Sequence, residues 1–310
     1  MIITVTMNPA IDKTIDVDQL QKGELNRIKS VEKDVGGKGI NVSKTINELG
    51  GKSTAIGFIA GDAGKTIEHV LNREGIQTDF IEVEGETRTN TKVVEANREL
   101  TELNEQGPEL TKEDVEKLLE KIEGYANEDV LFVLAGSIPK GVEKDIYERI
   151  IRLVHGKGAK VILDADGELF TKALQAGPDI IKPNRFELEQ YAGFDYRASE
   201  KEVLGVAKQM LEKGVSTVAV SMGKSGAMFL IDGEKYRCAG LNVKAHSTVG
   251  AGDAMVAALA YSWDQKYTAE KTIAMCMAVS AGAVMTIGTK PPKKEMVEEL
   301  LKQVEIETLK

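Results

Sequence analysis

Short apolar runs alternate with amphipathic stretches along most of the chain. Ile2–Met7, Ser53–Ile59, Asp79–Val83, Val130–Ala135, Ala159–Asp164, Ile180–Ile181 and Thr217–Ser221 read as strands. Between them, apolar residues recur at helical spacing over Lys38–Leu49, Lys65–Glu74, Lys112–Ile122, Lys144–His155, Phe186–Tyr191 and Lys201–Lys213. Strands this rich in Val and Ile suit a mostly parallel sheet covered by helices on both faces. Ala227–Ile231 and Glu234–Cys238, joined by Asp232-Gly233, read as a hairpin with a two-residue turn. Three helical stretches follow, among them the small-residue-rich and buried Ile273–Gly288. Two intervals, residues 11–34 and 88–104, break the rhythm with polar, alternating segments and no helix between them. They suit a small sheet inserted as a lid in one domain spanning 1–310, in preference to long surface loops.

Composition narrows the function classes. The 310 residues carry 42% apolar and 29% charged side chains, as a globular domain does. No run of eighteen apolar residues exists and the amino terminus begins directly as a strand, so neither a membrane span nor a signal peptide is expected, and a cytoplasmic location is. A net charge of −9 argues against nucleic acid or an anionic membrane as partner. Two cysteines without a Cys-x-x-Cys and three scattered histidines give no disulfide framework and no zinc site.

The candidate chemistry lies in glycine-rich turns. Thr248-Val249-Gly250-Ala251-Gly252-Asp253 opens a long apolar helix. A helix start of small residues aims free N–H groups and the positive dipole end at an anion. Asp253 would repel that anion, unless it takes the proton of a hydroxyl attacking a phosphate; a helix cap with a tight turn is the other reading. Gly36-Gly37-Lys38-Gly39-Ile40-Asn41-Val42 is a second such start, with Asn41 able to donate to and accept from a sugar hydroxyl. Asp12, in Thr6-x-Asn8-Pro9-Ala10-x-Asp12, is expected at the carboxyl end of the first strand, where ligands bind in such sheets. Arg88, at the start of the second lid interval, suits a bidentate phosphate contact. In Lys182-Pro183-Asn184-Arg185-Phe186-Glu187, Asn184 and Glu187 share one helix face and could hold Mg²⁺ through waters; the same pair also spells a capping box. Ser221-x-Gly223-x-x-Gly226 closes a strand either beside a nucleotide or as a plain turn. Gly61–Thr66 and Gly51–Ser53 fail the P-loop spacing, and no G-x-G-x-x-G follows a strand.

Together these motifs resemble the ribokinase/phosphofructokinase-B carbohydrate kinases along the whole chain. Gly36–Val42 and Thr248–Asp253 match the family's two signatures, and Ala135-Gly136-Ser137-Ile138-Pro139-Lys140-Gly141 and Lys182-Pro183-Asn184-x-x-Glu187 stand between them in the expected order. Asn26-Arg27, Thr87-Arg88-x-Asn90 and Thr101–Pro108 look most like the branch of 1-phosphofructokinases and tagatose-6-phosphate kinases. One departure is Asp164-Ala165-Asp166-Gly167, where many members have Asp-(Thr/Ser)-Ser-Gly; it bears on local contacts near the site.

The resemblance implies a ribokinase-like three-layer α/β/α fold with a small β-sheet lid, and ATP-dependent phosphorylation of a ketohexose phosphate. Fructose 1-phosphate is the first choice, tagatose 6-phosphate or fructose 6-phosphate the alternatives, and a silent sugar-phosphate sensor the reading from another class. It makes Asp253 the base and the N–H groups of Gly250, Ala251, Gly252 and Asp253 the anion hole. Asp12, Gly37, Lys38, Asn41 and Ser137 would hold the sugar phosphate, with Arg88, Arg27 and Lys38 meeting its phosphate. Lys182, Asn184, Glu187, Ser221, Gly223 and Gly226 would serve ATP and Mg²⁺. The lid implies a homodimer.

Overall fold

The computed structural model describes residues 1–309. In chain order it runs β1 (Ile2–Thr6), β2 (Ala10–Val17), β3 (Ser30–Gly36), α1 (Lys38–Glu48), β4 (Ser53–Ala60), α2 (Gly61–Arg73), β5 (Gln77–Val83), β6 (Arg88–Glu95) and β7 (Leu100–Asn104). Then come α3 (Lys112–Tyr125), β8 (Leu131–Ala135), α4 (Ile146–His155), β9 (Lys160–Asp164), α5 (Gly167–Ala173), β10 (Ile180–Ile181), α6 (Arg185–Ala192), α7 (Glu200–Leu211) and β11 (Thr217–Ser221). The remainder is β12 (Ala227–Ile231), β13 (Glu234–Cys238), α8 (Ala251–Asp264), α9 (Ala269–Met285), α10 (Lys294–Leu301) and β14 (Glu307–Leu309).

Ten strands form the main sheet in the order β14-β13-β12-β11-β10-β9-β8-β1-β4-β5. Pairing is parallel from β5 across to β11, and antiparallel among β11, β12, β13 and β14. The strands are apolar throughout because both faces are covered. In β8, Phe132 and Leu134 pack on one side with α3 and α4; Leu131, Val133 and Ala135 pack on the other with α1, α8 and α9. This is the mostly parallel, helix-covered sheet that the apolar runs foretold.

The chain leaves β1 for β4 and β5 on one side, then returns to β8 on the other. The strand order therefore reverses between β1 and β8. At such a switch point the loops leaving the carboxyl ends part in opposite directions and open a crevice.

The two intervals that broke the rhythm form a second, four-stranded sheet in the order β3-β2-β6-β7. Its strands cover less than expected, since residues 18–29 connect β2 and β3 without strand structure. Ile11 and Val35 root it in a small cluster with Ile40, Ala55, Ile67 and Leu71.

Several boundaries differ from the sequence reading. Helix α2 begins at Gly61, not Lys65, because the Glu86 carboxylate accepts the Ala63 N–H at 2.8 Å and stabilises an earlier first turn. That carboxylate also sits at the start of the Gly61–Thr66 segment, whose spacing does not fit a P-loop. Helix α5 and strand β14 were not anticipated. The first is short and begins at a glycine; the second pairs only at the sheet edge, with β13.

Candidate active site

A cavity of about 190 Å³ opens at the switch point. Thr6 and Asn8 line it from the end of β1, Ala135, Gly136 and Ser137 from the end of β8, and Ala165 and Asp166 from the end of β9. Lys38 and Arg88 complete the wall.

Two helices start beside it without side-chain caps. Gly37 precedes α1 at φ 114°, where a Cβ would stand 2.8 Å from the Thr6 side chain and 3.1 Å from Pro9, so only glycine lets the turn lie against β1. Gly250 precedes α8 at φ 85°. The first N–H groups to find partners in their own helices are those of Asn41, to the Gly37 carbonyl, and Ala254, to the Gly250 carbonyl, each at 2.9 Å. The N–H groups ahead of them are left for a ligand. The two starts are tied together, because Asn41 Nδ2 donates to Asp253 Oδ2 at 2.8 Å.

A buried charge cluster joins them. Asp164, at the end of β9, lies 3.3 Å from Lys38 Nζ and 3.4 Å from Lys182 Nζ. Burial raises the Asp253 carboxyl, the Asp164 charge raises it further, and together they outweigh Asn41, Lys38 and Lys182 to bring it up to about 6. Burial also opposes ionisation of Asp164, but Lys182 and Lys38 hold it below the usual carboxylate range. For Lys38, burial disfavours the charge, yet Asp164, Asp253 and Glu187 keep it above the ordinary lysine value.

Polar atoms around this region wait for partners. Thr6 Oγ1, Asn8 Oδ1, Asn41 Oδ1, Arg88 Nε and Asp164 Oδ1 are buried without a hydrogen bond. Orphaned polar atoms are costly and uncommon in a folded protein, so their concentration here marks a place prepared for a polar ligand.

The profile of the pfkB family carbohydrate kinases matches residues 5–296. The chain belongs to the pfkB family. Among relatives of this pfkB kinase, the 1-phosphofructokinase of Borreliella burgdorferi is 35% identical, covering 100% of this chain and 99% of its own. The tagatose-6-phosphate kinase of Staphylococcus epidermidis is 30% identical, covering 99% of each. Among solved structures, phosphofructokinase-2 from Escherichia coli superposes with a TM-score of 0.92 at 27% identity, covering 97% of this chain and 98% of that one. The ribokinase-like fold that the motifs implied is that of the pfkB kinases.

The structure gathers Gly37, Lys38, Asn41, Arg88, Ser137, Lys182, Gly250, Ala251, Gly252 and Asp253 around the switch point, but moves others. Asp12 is not at the end of β1. It lies on β2 of the small sheet, where Asn90 Nδ2 donates to it at 3.3 Å and Lys92 lies 3.8 Å away. Arg27 sits exposed in the β2–β3 connection and is not part of the cavity wall. Asn184 and Glu187 form the capping box of α6: Asn184 Oδ1 accepts the Glu187 N–H at 2.9 Å, and Glu187 Oε2 accepts the Asn184 N–H at 2.8 Å. Ser221 meets Asn184 through an isolated parallel bridge, which sets the β11 end beside that helix start. Gly223 follows it in a short 3-10 turn. Gly226 is glycine on packing grounds, because a Cβ would strike the Cys238 carbonyl.

Asp164, Thr6, Asn8, Ala165 and Asp166 were missed as site residues. The available signal was positional, since each lies at or just beyond the end of a parallel strand, where the open-sheet rule puts ligands. The departure from the family pattern at Ala165-Asp166 thus stands in the cavity wall itself.

Proposed function

We propose that this pfkB kinase transfers the γ-phosphoryl group of ATP to a ketohexose phosphate, with fructose 1-phosphate giving fructose 1,6-bisphosphate. The observation that carries the reading is the Asp253 carboxylate, raised toward neutrality and held by Asn41 in the first turn of an uncapped helix. A base and an anion hole in one helical turn suit an alcohol attacking a phosphate. A sensor that never turns over has no use for the base. Full-length similarity to 1-phosphofructokinases at 35% identity supports the substrate choice.

In this reading Asp253 accepts the proton of the attacking hydroxyl, and the N–H groups of Gly250, Ala251, Gly252 and Asp253 hold the transferring group. Asp12, Gly37, Lys38, Asn41 and Ser137 hold the sugar, and Arg88 meets its phosphate. Phosphoryl transfer asks for positioning and charge stabilisation more than covalent help. Ser221 and Gly223 lie where the nucleotide would pass. Mg²⁺ fits the α6 start in part. Asn184 Oδ1 is engaged in the cap, whereas Glu187 Oε1 keeps no hydrogen-bond partner among the described residues. No cluster of three or more acidic, His or Cys side chains forms a cage among the described residues. An ion carried on the triphosphate, with most of its waters kept and Glu187 reached through one of them, suits such a site. When bound it would neutralise phosphate charge.

ADP release measured with fructose 1-phosphate, fructose 6-phosphate and tagatose 6-phosphate tests the reading. The highest kcat/KM is expected with fructose 1-phosphate; a preference for either of the others would replace the substrate, and turnover with none would remove the kinase reading.

The small sheet also supports a homodimer. Val31 on β3 and Leu100 and Leu103 on β7 are exposed apolar side chains there, with Leu25 and Ile28 in the adjoining connection. Light scattering is expected to give a dimer mass, and Leu103→Glu a monomer; a monomeric wild type overturns the proposal.

A further inference from the structure

Lys182 follows β10 directly, and its side chain is only 4% exposed. Burying an ammonium is expensive unless its charge is matched. Its carboxylate partner, Asp164, is shared with Lys38. Asp253 adds a second carboxylate charge that acts on both lysines, so the ammonium groups are matched by a cluster of carboxylates and not by one tight pair. The Asp164 Oδ1 facing Lys182 at 3.4 Å has no hydrogen bond of good geometry, so the ammonium is held loosely and keeps donors free.

The other side of Lys182 shows where those donors can go. A Cβ built on Gly252 would stand 3.4 Å from Lys182 Nζ and 3.7 Å from its Cε. The ammonium therefore lies against the second residue of α8, beside the unpartnered N–H groups of Ala251, Gly252 and Asp253. A cation and several N–H donors thus converge where Asp253 also lies, while Lys38 carries the other end of the cluster into the cavity wall.

We propose that Lys182 is a catalytic residue that donates a hydrogen bond to an oxygen of the phosphoryl group in flight. Asp164 is a positioning residue that holds Lys182 on the phosphate side and Lys38 on the sugar side of the transfer. The inference rests on the phosphoryl-transfer reading above. In the step itself, the bond between the γ-phosphorus and the bridging oxygen of ATP breaks, a bond to the sugar hydroxyl oxygen forms, and the hydroxyl proton passes to Asp253. The electron pair stays on the departing ADP oxygen, and no proton moves to or from Lys182. Charge spread over the equatorial oxygens is what a fixed buried cation stabilises.

The test compares wild type with K182M. Turnover by wild type establishes the reaction independently of the variant, so a failure of the kinase reading appears there first. In K182M, kcat is expected to fall about 10²- to 10³-fold, as for loss of one preorganised donor, with both KM values changed less than about threefold. Affinity for ADP with aluminium fluoride and sugar phosphate, a mimic of the flying phosphoryl, is expected to fall by a similar factor while affinity for ADP alone holds. In Lys182→Ala, which opens the space that methionine fills, ethylammonium should restore part of the lost rate. Near-normal kcat overturns the proposal, as does unchanged binding of the fluoride complex. So does a loss confined to the KM for ATP, which would make Lys182 a holder of ground-state nucleotide. If K182M does not fold, as judged by circular dichroism, K182Q keeps a similar volume without the charge and is read by the same outcomes.

Discussion

Asp253→Asn is expected to keep both substrates bound near their normal affinities and to lose about 10²- to 10⁴-fold in kcat, the contribution of a positioned general base. The substitution preserves shape and can preserve the contact with Asn41, whose Nδ2 now meets the Asp253 carboxylate at 2.8 Å. Only the capacity to accept a proton is removed. Steady-state rates and substrate binding by calorimetry check both halves; near-normal turnover would remove Asp253 as the base.

The same variant is expected to be at least as stable as wild type at pH 7.5. The Asp253 carboxyl lies at about 6 in the fold against an ordinary 3.8. With its folded value raised, stability declines as pH climbs from about 4 to about 6, and the full cost stands above that window. At about 1.4 kcal/mol per pH unit this is on the order of 3 kcal/mol, which an uncharged asparagine avoids. A melting temperature that is kept or raised while turnover collapses is the signature of a residue retained for chemistry. The rate carries the opposite slope. Protonating Asp253 removes the base, so wild-type kcat/KM should fall about tenfold per unit below pH 6. Asp164, Lys38, Lys182 and Asn41 surround Asp253, whose carboxyl is raised to about 6. The acid limb should therefore shrink in Asp253→Asn to whatever the substrate phosphate contributes.

Much of the fold was legible because near-continuous Val and Ile runs can be buried on both faces only in a parallel sheet between helices. The glycine-rich helix starts were legible for a related reason: a Gly-Gly-Lys-Gly or Gly-Ala-Gly-Asp start makes sense where backbone must approach a ligand. Asp164 was not. It ends an apolar strand, and its partners Lys38 and Lys182 come from other βα junctions, so only the sheet order brings the three together. Asp12 was placed at the end of β1 because only Met7, Asn8 and Pro9 separate β1 from β2, although the alternating pattern over 11–34 already pointed to the small sheet. The capping box at Asn184 and Glu187 was readable, yet its consequence appears only in three dimensions: it engages one oxygen of each side chain and leaves Glu187 Oε1 without a partner.

Arg88→Ala is expected to raise the KM for the sugar phosphate about 10- to 100-fold, since hydrogen bonds to charged groups contribute about 1.5–3 kcal/mol, and to change kcat less than about threefold. Arg88 opens β6 in register with Ala10 of β2, so the small sheet delivers it to the cavity. Nη2 donates to the Asn8 carbonyl at 3.0 Å and Nη1 reaches the Glu105 carbonyl at 3.5 Å. Nε is buried without a partner. The guanidinium is thus fixed by neutral acceptors and keeps its charge for a ligand. Burial lowers its affinity for the proton, and the Asp12 charge restores part of it. A phosphate on the sugar answers both the unpartnered Nε and a charge that Asp12 compensates only in part. Arg88→Lys should fall between wild type and alanine, because it keeps a cation and loses the fork that reads a phosphate in two directions. Initial rates at saturating ATP with varied sugar phosphate measure this, and inhibition by inorganic phosphate should weaken in parallel. An effect confined to the KM for ATP would place Arg88 on the nucleotide and move the sugar's phosphate to another cation of the wall, where Lys38 is the remaining candidate.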